Sequence, residues 1–333
     1  MIWMAWRQFR TQAVLGIAVL ALLATYLVIL GEQIRRTYSQ DAAQCAKGGC
    51  AGLMSEFTGR YDHQVEILGY ALIVVPAIVG MFWGVPLITR ELEAGTHRLV
   101  WNQTVTRGRW LAVKLGFVGL AGVAFTGLYS LLLTWAASPL DRVHDNRFSP
   151  LIFDARNIVP VAYGAFAALL GVTFGLFIRR TVPAMAVVLV VFAVVQGVMP
   201  TMVRPGYVTP VSQTVALTKA EASGLSFFGE YGTVGGVSVP GGPWIVSTSD
   251  VLDASGKDVG HTAWWSNCVN VASPAQLPDC IAKQKVHVDV TLQPAGRYWS
   301  FQWYETAIFA LFSAALAALC FWRVQSRRPM ANS

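Results

Sequence analysis

The sequence predicts an all-α polytopic membrane protein. It has six transmembrane helices, an N-terminal interfacial helix, and a small β-rich extracytoplasmic domain between helices five and six. Three observations predict it. Six apolar stretches run at about 13–31, 67–89, 111–137, 157–178, 181–203 and 304–322. Each comes close to the roughly 20 residues that a helix rising 1.5 Å per residue needs to cross a hydrocarbon core of about 30 Å. The composition is 54% hydrophobic and 13% charged, where a soluble domain carries about 25% charged residues. The third observation is the uneven spread of the basic residues, which orients the chain.

Alternating sides from a cytoplasmic N-terminus, the inner segments hold Arg7, Arg10, Arg90, Arg98, Arg107, Arg109, Lys114, Arg179, Arg180, Arg323, Arg327 and Arg328. Only Glu91 and Glu93 oppose them there, while the remaining 16 acids lie among 13 bases on the other side. Cytoplasmic loops concentrate Lys and Arg, so both termini are expected in the cytoplasm. The basic residues flank spans and form no stripe on a soluble fold, which argues against a nucleic-acid partner.

Residues 1–12, MIWMAWRQFRTQ, place Ile2, Trp6 and Phe9 on one face and Arg7 on another, which suits a helix in the membrane interface. The apolar run that follows is too long for a signal-peptide core and lacks a small-residue cleavage site, so a retained anchor is expected. Residues 32–66 read as a polar outer loop. Span two carries Pro76, Gly80, Gly84 and Pro86, and prolines in a membrane helix require neighbouring helices to satisfy the freed carbonyls. Lys114 in span three is expected to reach back to the inner surface. Only Arg179 and Arg180 separate spans four and five, which demands a tight antiparallel hairpin. Gly164, Gly171 and Gly175 in span four permit close helix approach.

Residues 204–303 alternate like short strands in VGGVSV, WIVSTS and KVHVDVTL, interrupted by PGGP, SGK and QPAG turns. The chain therefore divides into 1–203 (spans one to five, with a cytoplasmic loop at 90–110), an extracytoplasmic 204–303, and 304–333 (span six and tail). Cys45 and Cys50 fall in the first outer segment, and Cys268 and Cys280 in the last. Two local pairs in an oxidising compartment predict Cys45–Cys50 and Cys268–Cys280, although four cysteines allow three connectivities. His261 and His287 lack ligand spacing, and no metal site is expected.

The loop 90–110, RELEAGTHRLVWNQTVTRGRW, mixes charge with apolar anchors and suits docking to a groove on a cytoplasmic partner. Its extended form, R-E-x-E-x-G-T-H-R-L-V-W-N-Q-T-V-T-R-x-R-W-L-x-x-K-L, resembles the permease subunits of ABC-2-type ABC transporters. The stretch Q-P-A-G-R-Y-W-S-F-Q-W-Y-E-T at 293–306 is similar to the start of the last span in bacterial drug-export members. The outer segment before span six is longer than in a minimal member. The resemblance implies a multi-pass protein of a bacterial plasma membrane and a coupling helix seated on an ATPase subunit. Arg90, Glu91, Glu93, Gly95, Thr96, His97, Arg98 and Trp101 would carry that contact.

A phosphate-binding loop needs G-x-x-x-x-G-K-[ST]. The one Gly-Lys pair, Gly256-Lys257, is followed by Asp258. No catalytic residue or cofactor is therefore expected on this chain. ATP and Mg would sit on a separate cytoplasmic ATPase, beside a second permease copy (itself or a paralogue) and membrane lipid. Thr25, Tyr26, Tyr70, Phe82, Trp83 and Gln196 are polar or aromatic within the spans and are candidates for touching cargo. For Gln196 an interhelical hydrogen bond is the plainer expectation, and for Glu305 simple interfacial exposure. The apolar walls suit amphipathic or lipid-like cargo. Two other classes stay open: a membrane enzyme using Asp141, His144, Asp145 and Asp154, and a non-transporting sensor or immunity subunit that binds a ligand through 204–303.

Overall fold

The computed structural model describes residues 2–45, 50–95, 106–143, 147–270 and 276–326. Six helical segments among them are long and apolar enough to cross a membrane: Phe9–Cys45, Gly52–Glu93, Arg107–Ala137, Val159–Ile178, Thr181–Gly206 and Ala295–Gln325. The chain separates into two compact units. Unit 1 is residues 1–143, 150–204 and 299–333; unit 2 is residues 144–149 and 205–298.

Unit 1 contains the spans. Its first helix runs without interruption from Ile2 to Cys45, 44 residues. No helical break sets residues 2–12 apart as a separate interfacial helix. At 1.5 Å per residue this helix is about 66 Å long, twice the thickness of a hydrocarbon core. Its C-terminal third therefore stands beyond the lipid, as does the start of the second helix, Cys50–Val79. The segment read as a polar outer loop over 32–66 is helical on both sides of the 46–49 gap in the described residues. Both arms are helical because they carry no proline and share an apolar seam. Ile34 and Phe57 are fully buried, Tyr38 meets Phe57 at 5.6 Å, and Thr37 Oγ1 lies 2.9 Å from the Tyr61 hydroxyl. The Cys45–Cys50 disulfide closes the tip.

Span two is not a regular α-helix. After Pro76 the segment Gly80–Gly84 forms a π turn, in which the Val85 N–H donates to the Gly80 carbonyl. Pro86 has no N–H to offer the Phe82 carbonyl one turn back. Gln12 Nε2 of span one supplies the missing donor at 2.7 Å. Gly84 faces Gly171 of span four so closely that a Cβ added to it would fall 3.0 Å from the Gly171 Cα. Helix association in lipid depends on such close van der Waals contact. Spans two, three, four and six share one buried cluster that includes Ile88, Leu111, Val172 and Val324. Arg179, in the left-handed region at φ 59°, closes span four and turns the chain into span five, as the two-residue gap requires.

Unit 2 has its own core around Trp265, with Leu217, Val251, Ile281, Val288 and Val290. Its main sheet has the antiparallel order β1-β5-β4. These strands are Val211–Ala216, His287–Gln293 and Trp244–Thr248, and the pair β2–β3 is Phe227–Phe228 with Val234–Gly235. In β5 the residues Val288, Val290 and Leu292 are buried while Asp289 is exposed, the period of two expected of a strand with one core face. The β-rich expectation needs correcting to mixed α and β. Short helices occupy Lys219–Gly224, Ala263–Asn270 and Leu277–Ala282. Thr218 caps the first by accepting from the Glu221 N–H at 3.3 Å, a Thr-x-x-Glu signature visible in the sequence. The Cys268–Cys280 disulfide joins the other two.

Candidate functional site

Two buried ion clusters organise opposite ends of unit 1. The first lies where span two ends and spans three and five begin. The helix Val85–Glu93 closes at Gly95, which adopts φ 69°. Span three restarts at Arg107 under an N-cap from Thr106, whose hydroxyl accepts from the Arg109 N–H at 3.3 Å. Within the helix Val85–Glu93, Glu91 turns inward. Its carboxylate lies 2.8 Å from Lys114 Nζ and accepts from Trp110 Nε1 at 3.1 Å. Lys114 also donates to the Leu87 carbonyl at 2.7 Å. Lys114 is 3% exposed, so it does not reach back to the membrane surface. A carboxylate within hydrogen-bonding distance satisfies the ammonium better than a stretched stem would.

Glu93, two residues on, ties a different helix. Its carboxylate accepts from the backbone N–H of Thr181 at 2.8 Å, at the first turn of span five. Helix N-termini leave N–H groups unpaired and carry partial positive charge, so a carboxylate there is favourable twice over. Thr89 adds a hydroxyl contact to Thr181 at 2.7 Å. Span two thus holds span three through Glu91 and span five through Glu93.

Of the residues expected to carry partner contact, Arg90 and Glu93 are exposed, Gly95 terminates the helix, and Glu91 is buried. Thr96, His97, Arg98 and Trp101 lie outside the described residues.

The second cluster joins the short helix Pro150–Asp154, span four, the end of span five and the start of span six. Arg204 is fully buried. It grips Glu305 with both arms of its guanidinium, Nε to Oε2 at 2.8 Å and Nη2 to Oε1 at 2.8 Å. It also bonds Asp154 through Nη2, and its Cζ sits 4.1 Å over the Phe153 ring. The Tyr163 hydroxyl donates to Asp154 at 3.1 Å and also bonds Glu305. Burial raises the Asp154 carboxyl to about 6, aided by the Glu305 charge and opposed by Arg204. Arg204 Nη1 is buried with no hydrogen-bond partner among the described residues. Arg204 thus bonds two carboxylates, Asp154 and Glu305.

Glu305 is therefore not an exposed interfacial residue, because a bidentate arginine holds it inside the bundle. Sequence reasoning passed over Arg204 as a cluster member. The available signal was a charge directly after the Val- and Met-rich run of span five, since intramembrane charges rarely stand without a partner. Of the acids proposed for catalysis, Asp154 is engaged here and Asp141 lies 3.5 Å from Arg156. His144 and Asp145 lie outside the described residues. Among the described residues no group of three His, Cys, Asp or Glu is placed to hold a metal.

The six cargo candidates are not brought together. Tyr26, Tyr70 and Phe82 are exposed on unit 1. Thr25 bonds its own helix at the Ala21 carbonyl, 2.9 Å away. Trp83 packs edge-on to Phe9 and Phe125, at 5.4 and 5.6 Å. The Gln196 amide atoms are buried with no hydrogen-bond partner among the described residues, so the expected interhelical bond is not formed among them.

A family model described as ABC-2 membrane transporter related matches residues 17–204. No curated protein and no solved structure matches the chain. The matched residues run from within span one to near the end of span five, and take in Glu91, Trp110 and Lys114 together with the Arg204 and Asp154 members of the second cluster.

Proposed function

Because the chain belongs to the ABC-2 membrane transporter related family, we propose that it is the transmembrane permease of an ATP-driven exporter. Force would enter through the segment after span two. The observation that carries the reading is the double tie of that segment, Glu91 to Lys114 and Glu93 to Thr181. A helix pinned to two other helices by charge-assisted bonds moves them with it, since such bonds are short, directional and strong. A partner pushing on residues 94–106 would then displace spans two, three and five together. Arg90 and Glu93 offer charge at the surface for register, and Glu91 transmits from inside.

The nucleotide chemistry belongs to a separate ATPase subunit, which would hold ATP and its Mg. This chain supplies positioning and the path. A second permease copy would complete that path, and amphipathic or lipid-like cargo suits walls so poor in charge. Export from a bacterial cytoplasm, with both termini inside, completes the reading.

The test is purification of the complex followed by ATP hydrolysis with and without the permease. An ATPase subunit should co-purify, and Glu91→Ala with Glu93→Ala should cut permease-stimulated hydrolysis about tenfold while the permease stays in the membrane. Full stimulation by the double variant would remove the ties from the mechanism. Recovery of no ATPase would remove the exporter reading itself.

A further inference from the structure

We propose that unit 1 carries a specific site for one anionic phospholipid, with an acyl chain lying in a groove between spans one, two and three. The site is independent of ATP coupling and goes beyond the proposed function. The groove encloses about 400 Å³. Its floor is aromatic: Phe9, Trp83, Phe117 and Phe125 touch edge-to-face in series, with centroids 5.0 to 5.6 Å apart. The π turn of span two presents Trp83 to this floor. Gly16 makes room for it, since a Cβ at Gly16 would come within 2.6 Å of the indole ring.

The lining is almost wholly apolar, with only the indole N–H groups of Trp6 and Trp83 as polar side-chain atoms. A water molecule needs two to four polar partners and finds too few here, so the stable occupant is hydrocarbon. The lips are open: Ile17 is 64% and Leu120 71% exposed, whereas Phe9 on the floor is 2% exposed. A chain lying in the membrane can therefore enter from the side.

Length and charge select the occupant. The lining runs from Trp6 to Leu20 on span one and from Phe117 to Leu128 on span three. These stretches cover about 21 and 16 Å of helix. One leaflet of the hydrocarbon core is about 15 Å deep, so the groove takes a single chain from a single leaflet. Its mouth is at the N-terminal end of span one, where Trp6 is 46% exposed and Arg10, one turn on, is exposed as well. An amphipathic aromatic and a cation at that level suit a headgroup carrying phosphate and net negative charge.

The experiment uses the full chain in nanodiscs that contain a phospholipid with a photoactivatable acyl chain. The headgroup is phosphatidylglycerol in one arm and phosphatidylcholine in the other. Label should map to residues 6–20 and 117–128 at least fivefold above the exposed faces of spans five and six, with the anionic headgroup favoured. Ala121→Trp with Ala124→Trp fills the groove and should remove that label while leaving spans five and six labelled as before. Arg10→Gln, at an exposed position that does not threaten folding, should abolish the headgroup preference. Even labelling of all lipid-facing helices would mean ordinary surrounding lipid and would overturn the proposal. So would protection of the groove together with disulfide formation between copies carrying Leu120→Cys, because a second permease copy would then be the occupant.

Discussion

The two buried ion clusters of unit 1 differ in how their cations are shared. Lys114 pairs with Glu91, which also accepts from the Trp110 indole. Arg204 bonds both Asp154 and Glu305. Burial raises the Asp154 carboxyl, so a proton controls part of the second cluster's strength. The first cluster adjoins the loop where a partner would push; the second gathers spans four, five and six at the far end. Under the function proposed above, the first cluster is the transmitting joint and the second a grip that a proton adjusts.

The comparison is broken most severely by Arg204→Met. It strands two carboxylates in a dry site, and removing one member of a buried pair costs about 3–5 kcal/mol. A large drop in melting temperature of the purified protein is expected, with most of it regained on adding Asp154→Asn and Glu305→Gln. Loss of under about 1 kcal/mol would mean that water reaches the cluster.

Lys114→Met is expected to cost somewhat less, about 3 kcal/mol, because only one carboxylate is stranded and Trp110 still donates to it. Lys114→Met combined with Glu91→Gln should restore stability yet leave permease-stimulated ATP hydrolysis low. That split between folding and coupling would sharpen the assignment of a transmitting role.

Reduction of the Cys268–Cys280 bridge, sequence separation 12, should loosen unit 2 by about 3 kcal/mol in the chain-entropy account. Unit 1 should keep its melting behaviour apart from the tip closed by Cys45–Cys50. Thiol labelling that is unchanged by reductant would contradict both bridges.

The smallest effect is a slope. Asp154 sits at about 6 in the folded chain, above its unfolded value near 4, so the folded state binds the extra proton. Its contribution is complete below the unfolded value and is lost as pH rises through about 6. Melting temperature should therefore decline between pH 4 and 6, and Asp154→Asn should flatten that decline. A wild-type curve that rises over this range would reverse the role given to burial.

Much of this was legible beforehand. Runs of apolar residues announced the six spans, Arg179 and Arg180 announced the hairpin, and the cysteine spacing announced both bridges. The alternation in KVHVDVTL marked β5. Local signals sufficed because each concerns groups within a turn or two of one another. The helicity of the arms over 32–45 and 50–66 was not legible, because their polar faces hide the seam between Ile34 and Phe57, which exists only when the arms pair.

The sequence by itself determined that this is a multi-pass membrane protein, since the length and apolarity of each span answer to the bilayer before any helix meets another. Tertiary structure alone decided which charges would be buried. Arg204 lies 50 residues from Asp154 and 101 from Glu305, and nothing local relates them. An ion in a low-dielectric interior survives only beside a counter-charge, and which counter-charge arrives depends on how the helices pack.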